Sequence, residues 1–281
     1  MPAWVERATG ALVLAAAALL AAPATAQLND LVSRTAFRVC ADPANMPFSN
    51  QAGEGFENEI AELFAESFGR ELQYTWFPMV QGFVRRTLFA QRCDVIIGFA
   101  QGDELVLNTN HYYTSTHVLV TRADSDLADV ATLADPRLQG RPIGVIAGSP
   151  PASHVARHGL MAKARSYDLM VDRRVESPSE DMLADLMSGR IDAGVLWGPA
   201  GAPLARAYGD ALVVTPLLAE EGAPRLFYRI TMGVRQSDET WKRELNDKIR
   251  ELQPQIDAIL TAHGVPLVDD MGTALRVQAA Q

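Results

Sequence analysis

The residues best equipped for chemistry follow a short apolar run, Phe37-Arg38-Val39-Cys40-Ala41. Asp42, Asn45, Phe48, Glu54, Gly55 and Phe56 place carboxylates, an amide, rings and bare backbone in one loop and the helix start beyond it. That mixture suits capture of a small molecule or of a partner surface. Other candidates are scattered. Gly148-Ser149-Pro150-Pro151 precedes a helix, where backbone amides can hold an anion, but two prolines remove donors. Phe83 and Arg85 stand near a helix start, and Arg85-Arg86 can meet an anion or simply face solvent. Trp197-Gly198-Pro199 is a rigid turn that can expose a ring. His154 and His158 stand four apart on a helical segment and can share one face, the spacing of a metal pair. No acid or thiol ligand accompanies them in the pattern, so they read as a solvated helix face and no metal is expected. No GxSxG, HExxH or P-loop pattern occurs, and no catalytic residue is assigned.

The elements that would position these groups alternate. Phe37, Val39 and Ala41 suit a buried strand that stops at Asp42-Pro43, because proline cannot donate to a ladder. Phe56, Ile60, Leu63, Phe64 and Phe68 then recur at helical spacing up to Gly69. Leu72–Phe77 reads as a strand, Phe83–Ala90 as a helix, Val95–Gly98 as a buried parallel strand and His117–Arg122 as another strand. A second series repeats this grammar: a short helix over Asp129–Leu133, a strand at Ile143–Ile146, and a helix through His154, Val155 and Arg157. A helix capped by Ser179 and ended by Gly189 follows, then strands at Ile191–Trp197 and Leu212–Val214. Phe227–Val234 returns as a strand, and a long helix starts at Glu239. The order predicts an α/β protein of two lobes joined by crossing strands near 120–123 and 226–233, with a central cleft. The predicted divisions are 34–121 plus 230–270 for one lobe, 122–229 for the other, and a flexible tail over 271–281.

The start of the chain reads as a leader. Ala11–Ala22 is an apolar run too short to span a bilayer comfortably, and Ala24-Thr25-Ala26 is a small-x-small cleavage signal. Cleavage after Ala26 predicts export to the periplasm, with no membrane span in the mature chain. The net charge of −9 argues against a nucleic-acid partner. In an oxidising compartment the two cysteines, Cys40 and Cys93, read either as a disulfide or as two small buried hydrophobes in neighbouring strands.

The segments Phe37–Ser49, Arg92–Gly98, Tyr112–Arg122 and Gly189–Pro199 resemble type II periplasmic solute-binding proteins over nearly all of the mature chain. RVCADPANMPFSN, GEGFENEIAELFA, GFVRRTL and QRCDVIIG resemble a narrower group, the quinoprotein-dehydrogenase-associated solute-binding proteins, which include the J accessory proteins of methanol oxidation. The unusual features are Cys40, Asn45 beside Pro47-Phe48, and Cys93 before Asp94. The resemblance implies a partner, a pyrroloquinoline-quinone (PQQ)-dependent alcohol or methanol dehydrogenase, with its cytochrome c as candidate third component. It implies no cofactor for the chain itself.

Amino-acid receptors of this fold hold the ligand carboxylate with an Arg ten residues before a Tyr pair, where this chain has Gly102. They hold the ammonium with an Asp where this chain has Trp197. A lone amide does not replace a bidentate guanidinium, nor an indole a carboxylate. The expected cleft is therefore aromatic and amide-rich, drawing on Phe48, Phe56, Tyr112, Tyr113 and Trp197, with Tyr74, Phe83 and Phe99 assigned first to core packing. Three functions follow: an accessory factor for the dehydrogenase, a receptor delivering a small, weakly charged solute to an ABC transporter, and an enzyme of the cyclohexadienyl dehydratase kind. The missing Arg argues against the third.

Overall fold

The computed structural model describes residues 31–218 and 220–276. The expected leader with its cleavage after Ala26 lies outside the described residues, as do the last residues of the expected tail. In chain order the strands and α-helices are β1 (Ala36–Ala41), β2 (Ala44–Asn45), β3 (Ser49–Asn50), α1 (Phe56–Phe68), β4 (Glu71–Trp76), α2 (Phe83–Arg86), β5 (Ile96–Ala100), β6 (Leu107–Asn108) and β7 (Tyr113–Arg122). They continue with β8 (Ile143–Ile146), α3 (Pro150–Arg157), β9 (Arg165–Tyr167), α4 (Pro178–Met187), β10 (Ala193–Trp197), α5 (Gly198–Ala205), β11 (Leu212–Pro216), β12 (Phe227–Val234) and α6 (Glu239–Ala262).

The β1–α1–β4 unit forms as its sequence requires. Phe56, Ile60 and Phe64 recur on one helix face and bury fully against β1, where Phe37 meets Phe64 with ring centroids 6.2 Å apart. Gly69 closes α1 in the left-handed conformation, at φ 61°. β1 and β4 pair in parallel from Ala36–Glu71 to Ala41–Trp76. The expected parallel strand over Val95–Gly98 is only partly so. Val39 and Val95 form an isolated parallel bridge, after which β5 leaves to pair antiparallel with β12.

Eight strands share the main sheet. Six run in the order β5-β12-β7-β10-β8-β9, with β11 also on β7 and β6 also on β12. β7 changes partners part-way along: Tyr113–Thr116 pair with β12, whereas Val118–Arg122 pair with β11. The apolar cores divide accordingly. One cluster runs from Phe37 through Tyr113 and resumes at Ile230, with α6 supplying Trp241, Leu245, Ile249, Leu252, Ile256 and Leu260. Two others draw on residues between Val118 and Leu226.

Three sequence expectations fail for local reasons. The helix over 83–90 stops at Arg86: the Thr87 hydroxyl donates to the Phe83 carbonyl, and Gln91 turns the chain at φ 57°. The helix over 129–133 does not form, because the Leu133 amide that it would use donates instead to Glu220 Oε1. Ser177, not Ser179, is the N-cap of α4, with Pro178 at the first helical position and Ser179 inside the first turn. The expected tail is also tied down over its first residues. Val268 bridges Leu275, and the Arg276 guanidinium lies 2.6 Å from Asp257.

Cys40 and Cys93 form a disulfide, with Cα atoms 5.4 Å apart. Beside it, Asp94 is buried and shared by two arginines. Arg38 grips it with Nε and Nη2, both at 2.7 Å, and Arg235 Nη2 donates at 2.7 Å. Arg235 also donates to the Cys93 carbonyl at 2.6 Å and pairs with Asp238, the N-cap of α6. Replacing Asp94 with Ala removes the carboxylate that Arg38 and the buried Arg235 share, leaving Arg235 only Asp238 as a counter-ion, and is expected to cost about 3–5 kcal/mol in urea unfolding. Reducing the disulfide is expected to cost up to about 4 kcal/mol by the loop-closure argument, read as a lower urea midpoint in the presence of reductant.

Candidate functional site

A cavity of about 430 Å³ opens at the carboxyl ends of β5, β8 and β10, between the core clusters. Phe48, Phe99, Tyr113, Trp197, Tyr228 and Ile230 supply its apolar wall. Trp197 lies edge-on to His117 and Tyr228, with centroids 5.1 and 5.9 Å away. Phe48 packs on Phe56, centroid to centroid 5.0 Å, so the buried Phe56 ring props the wall from behind.

Two ionisable groups inside the cavity are neutral at pH 7. Glu57, in the first turn of α1, is pushed up to about 8 by burial. It accepts no hydrogen bond among the described residues. Its carboxyl covers Gly98 so closely that a Cβ there would lie 1.9 Å from Oε1, so a side chain at this position would displace the carboxyl. His117 is pulled down to about 4 by burial, partly opposed by its 2.7 Å bond from Nδ1 to the Leu226 carbonyl. That bond puts the proton on Nδ1 and leaves Nε2 as an acceptor. Glu57 and His117 thus offer a carboxylic acid that can donate and an imidazole that can accept, neither of them charged. Asn45, buried on β2, adds an Oδ1 with no hydrogen-bond partner.

The mouth is different. Asp168, Leu169 and Arg173, from the segment between β9 and α4, line it together with Ser149 and Ser179. Arg173 is half-buried and its pKa is lowered by that burial, against the opposing charges of Asp42 and Glu180. Leu169, Met170 and Val175 of the same segment are 48%, 60% and 84% exposed.

Of the residues singled out in the sequence, Asn45, Phe48, Gly148, Ser149 and Trp197 line the cavity. The others stand elsewhere. The Asp42 carboxylate is spent on backbone, accepting from the amides of Ala44 at 2.9 Å and Met79 at 2.6 Å. Glu54 is exposed and accepts from Asn50 Nδ2 at 2.8 Å. Gly55 caps α1 where a Cβ would lie 2.1 Å from the Phe48 carbonyl oxygen. Phe83 packs with the disulfide, Leu88 and Ile96 in a small core, while Arg85 faces solvent. Gly198 is buried at the start of α5 against the Thr116 carbonyl. Phe99, assigned to the core from sequence, packs against the same small core as Phe83 and also lines the cavity.

Glu57, His117 and Arg173 were missed. Glu57 follows Phe56 in a helix whose apolar stripe absorbs the attention, and its signal was a glycine forty-one positions on, at Gly98. Gly102, the position compared with a receptor Arg, is exposed in the turn after β5 and does not line the cavity. The cavity does have a guanidinium, Arg173, but it comes from a different segment. The histidine pair also departs from its reading: His154 is fully buried, and Glu220 lies beside both imidazoles.

Residues 37–263 match the bacterial extracellular solute-binding proteins, family 3. The chain belongs to that family. Within it, this solute-binding protein is MoxJ/XoxJ-like. It is 32% identical to Protein MoxJ of Methylorubrum extorquens over 280 residues, covering 91% of this chain and 92% of that protein. The crystal structure of the periplasmic binding protein XoxJ from Methylobacterium extorquens superposes with a TM-score of 0.71 at 41% identity, covering 83% of this chain and 100% of that one. The crystal structure of MxaJ from Methlophaga aminisulfidivorans gives 0.69 at 25% identity, with the same coverage. No helix among the described residues is long and apolar enough to cross a membrane.

Because the folded-state value of Glu57 lies above the unfolded 4.5, the fold retains a proton that the unfolded chain has released between pH about 4.5 and about 8. The Glu57 contribution to stability therefore declines as pH rises through that window. Glu57→Gln is expected to gain stability relative to the parent as pH rises from 5 to 8.5, read as a widening difference in melting temperature. An unchanged difference would show that Glu57 is ionised in the fold.

Proposed function

We propose that this solute-binding protein is a non-catalytic periplasmic accessory factor that binds a PQQ-dependent methanol or alcohol dehydrogenase and aids its assembly or activation, with the cytochrome c as a third component. The observation that carries this reading is the cavity itself: aromatic-walled, with a neutral acid and a neutral imidazole inside it and an exposed apolar segment, Leu169 to Val175, beside it. The likeness to MoxJ and XoxJ over nearly the full length of those proteins supplies the partner class. Leu169 lines the cavity and, with Met170 and Val175 of the same segment, exposes apolar surface that suits contact with an apolar partner segment, while the aromatic wall of the cavity supplies the kind of pocket that anchors an interface. Arg173 and Asp168 at the same mouth would fix its orientation.

The two lobes of this reading comprise residues 34–121 plus 230–270 and residues 122–229. The division of the apolar cores supports them, with Val118–Val120 of β7 siding with the second lobe. The cleft lies between them, and the sequence-derived candidates Asn45, Phe48, Gly148, Ser149 and Trp197 form its binding surface with Glu57 and His117.

A second reading keeps the receptor role of the family. The unpartnered Asn45 Oδ1 and the protonated Glu57 favour it, because a buried amide and a neutral acid suit a small hydroxyl- or carbonyl-bearing solute.

Affinity capture from periplasm with the tagged chain separates the two. Under the first reading a quinoprotein dehydrogenase co-purifies, and Leu169→Asp or Val175→Asp abolishes its recovery while leaving the melting temperature within about 2 °C, as expected of exposed positions. Under the second no dehydrogenase is recovered, and a solute at about a hundredfold over its dissociation constant adds nearly 3 kcal/mol of stability.

A further inference from the structure

We propose that His154, His158 and Glu220 form a site for a divalent transition-metal ion of the Zn2+ type, towards the C-terminal end of α3, whose N-terminal residues Ser149 and Pro150 line the cavity. One donor atom from each of the three side chains lies within 4.8 Å of the others. Glu220 Oε2 stands 3.5 Å from His158 Nε2 and 3.9 Å from His154 Nδ1. Ligands in a tetrahedral zinc site, with bonds of about 2.0–2.1 Å, lie about 3.3–3.4 Å apart. A shift of a few tenths of an ångström to about one ångström brings the three atoms onto one ion.

The surroundings pre-set each ligand. His154 is fully buried, and its Nε2 is 2.6 Å from the Pro224 carbonyl, so the proton sits on Nε2 and the Nδ1 lone pair faces Glu220. A ligating histidine that donates its other nitrogen to a carbonyl is the common arrangement around a bound metal. Glu220 is divided in the same sense. Its Oε1 is anchored by the Thr132 hydroxyl at 2.9 Å and by the Leu133 amide, which leaves Oε2 for the imidazoles. Two imidazoles and one carboxylate match zinc and its first-row neighbours rather than Ca2+ or Mg2+. The fourth position would be water.

Arg157 competes for the space. Its Nη1 is 3.5 Å from His154 Nδ1 and also donates to the Glu221 carbonyl, while Nη2 donates to that of Ala223. Ion binding requires Nη1 to leave Nδ1, which its two bonds to the loop carbonyls permit. A bound ion would tie α3 to the segment between β11 and β12 through Glu220, which lies in the same connection as Leu226, the His117 partner.

The test is calorimetric titration of the untagged chain with ZnCl2, with Co2+ absorption as a second probe of coordination. The expected result is one equivalent bound in the micromolar range or tighter. His158→Ala, at the more exposed histidine, and Glu220→Gln, which keeps an Oε1 acceptor for Thr132 and Leu133, should each weaken it by at least about tenfold. Binding should also weaken on acidification as the imidazoles protonate. The assignment is overturned if the chain binds no Zn2+ below millimolar concentration, which leaves a histidine–glutamate ion pair only. It is equally overturned if both variants bind as tightly as the parent. His154→Ala is not needed, so a folding defect at the buried position does not confound the result.

Discussion

Everything in the first lobe is arranged around one buried carboxylate. Asp94 meets Arg38 from β1 and Arg235 from the end of β12, and its own backbone carbonyl accepts from the Trp241 indole of α6 at 3.2 Å. A carboxylate taken out of water is costly unless its lone pairs are filled, and here two guanidiniums and the Ser33 amide fill them. The arrangement fixes which strands can neighbour one another. Arg38 brings β1, Arg235 brings β12, and Trp241 brings α6 to the same point. The disulfide one residue earlier holds that point to the end of β1. The position of Asn45 and Phe48, a few residues further along, follows from this anchor.

The cavity shows a different use of burial. Around Asp94 the charge is kept and matched, whereas around Glu57 and His117 it is removed. Both side chains are neutral near pH 7 because burial disfavours their charged forms, opposed for His117 by its bond to the Leu226 carbonyl. A ligand or partner segment entering the cavity therefore meets hydrogen-bonding capacity without a counter-ion requirement. The charged groups that do line the cavity, Asp168 and Arg173, come from the segment between β9 and α4 and not from the positions of Gly102 and Trp197.

Much of the fold was legible because its periodicities are local. The α1 stripe, the Asp42-Pro43 stop and the long apolar repeat of α6 each follow from neighbours a few positions apart. The expectations that failed depend on distant residues. Nothing near Asp129 announces that Glu220 takes the Leu133 amide, and nothing near His154 announces that the same carboxylate reaches it. Glu57 and Arg173 were hidden for the same reason: one owes its state to Gly98 and the surrounding apolar wall, the other to a loop that folds over the cavity from the second lobe. Loop residues such as Phe48 and Trp197 were found because proline and glycine mark strand ends, whereas Asp42 and Glu54, equally conspicuous, are consumed by the loop's own hydrogen bonds.

The order of the strands has a consequence for how the chain becomes a protein. The second lobe is one continuous stretch and can close its cores from its own sequence. The first begins at Phe37 but lacks β12 and α6 until the final part of the chain arrives. Contacts that far apart in sequence are formed late, because loop closure must be met before packing rewards it. Until β12 and α6 are in place the first β–α–β unit is unfinished, its apolar side without Trp241 and Ile249. The part of the molecule that bears the anchor of the cleft is completed only by the last two elements of the chain.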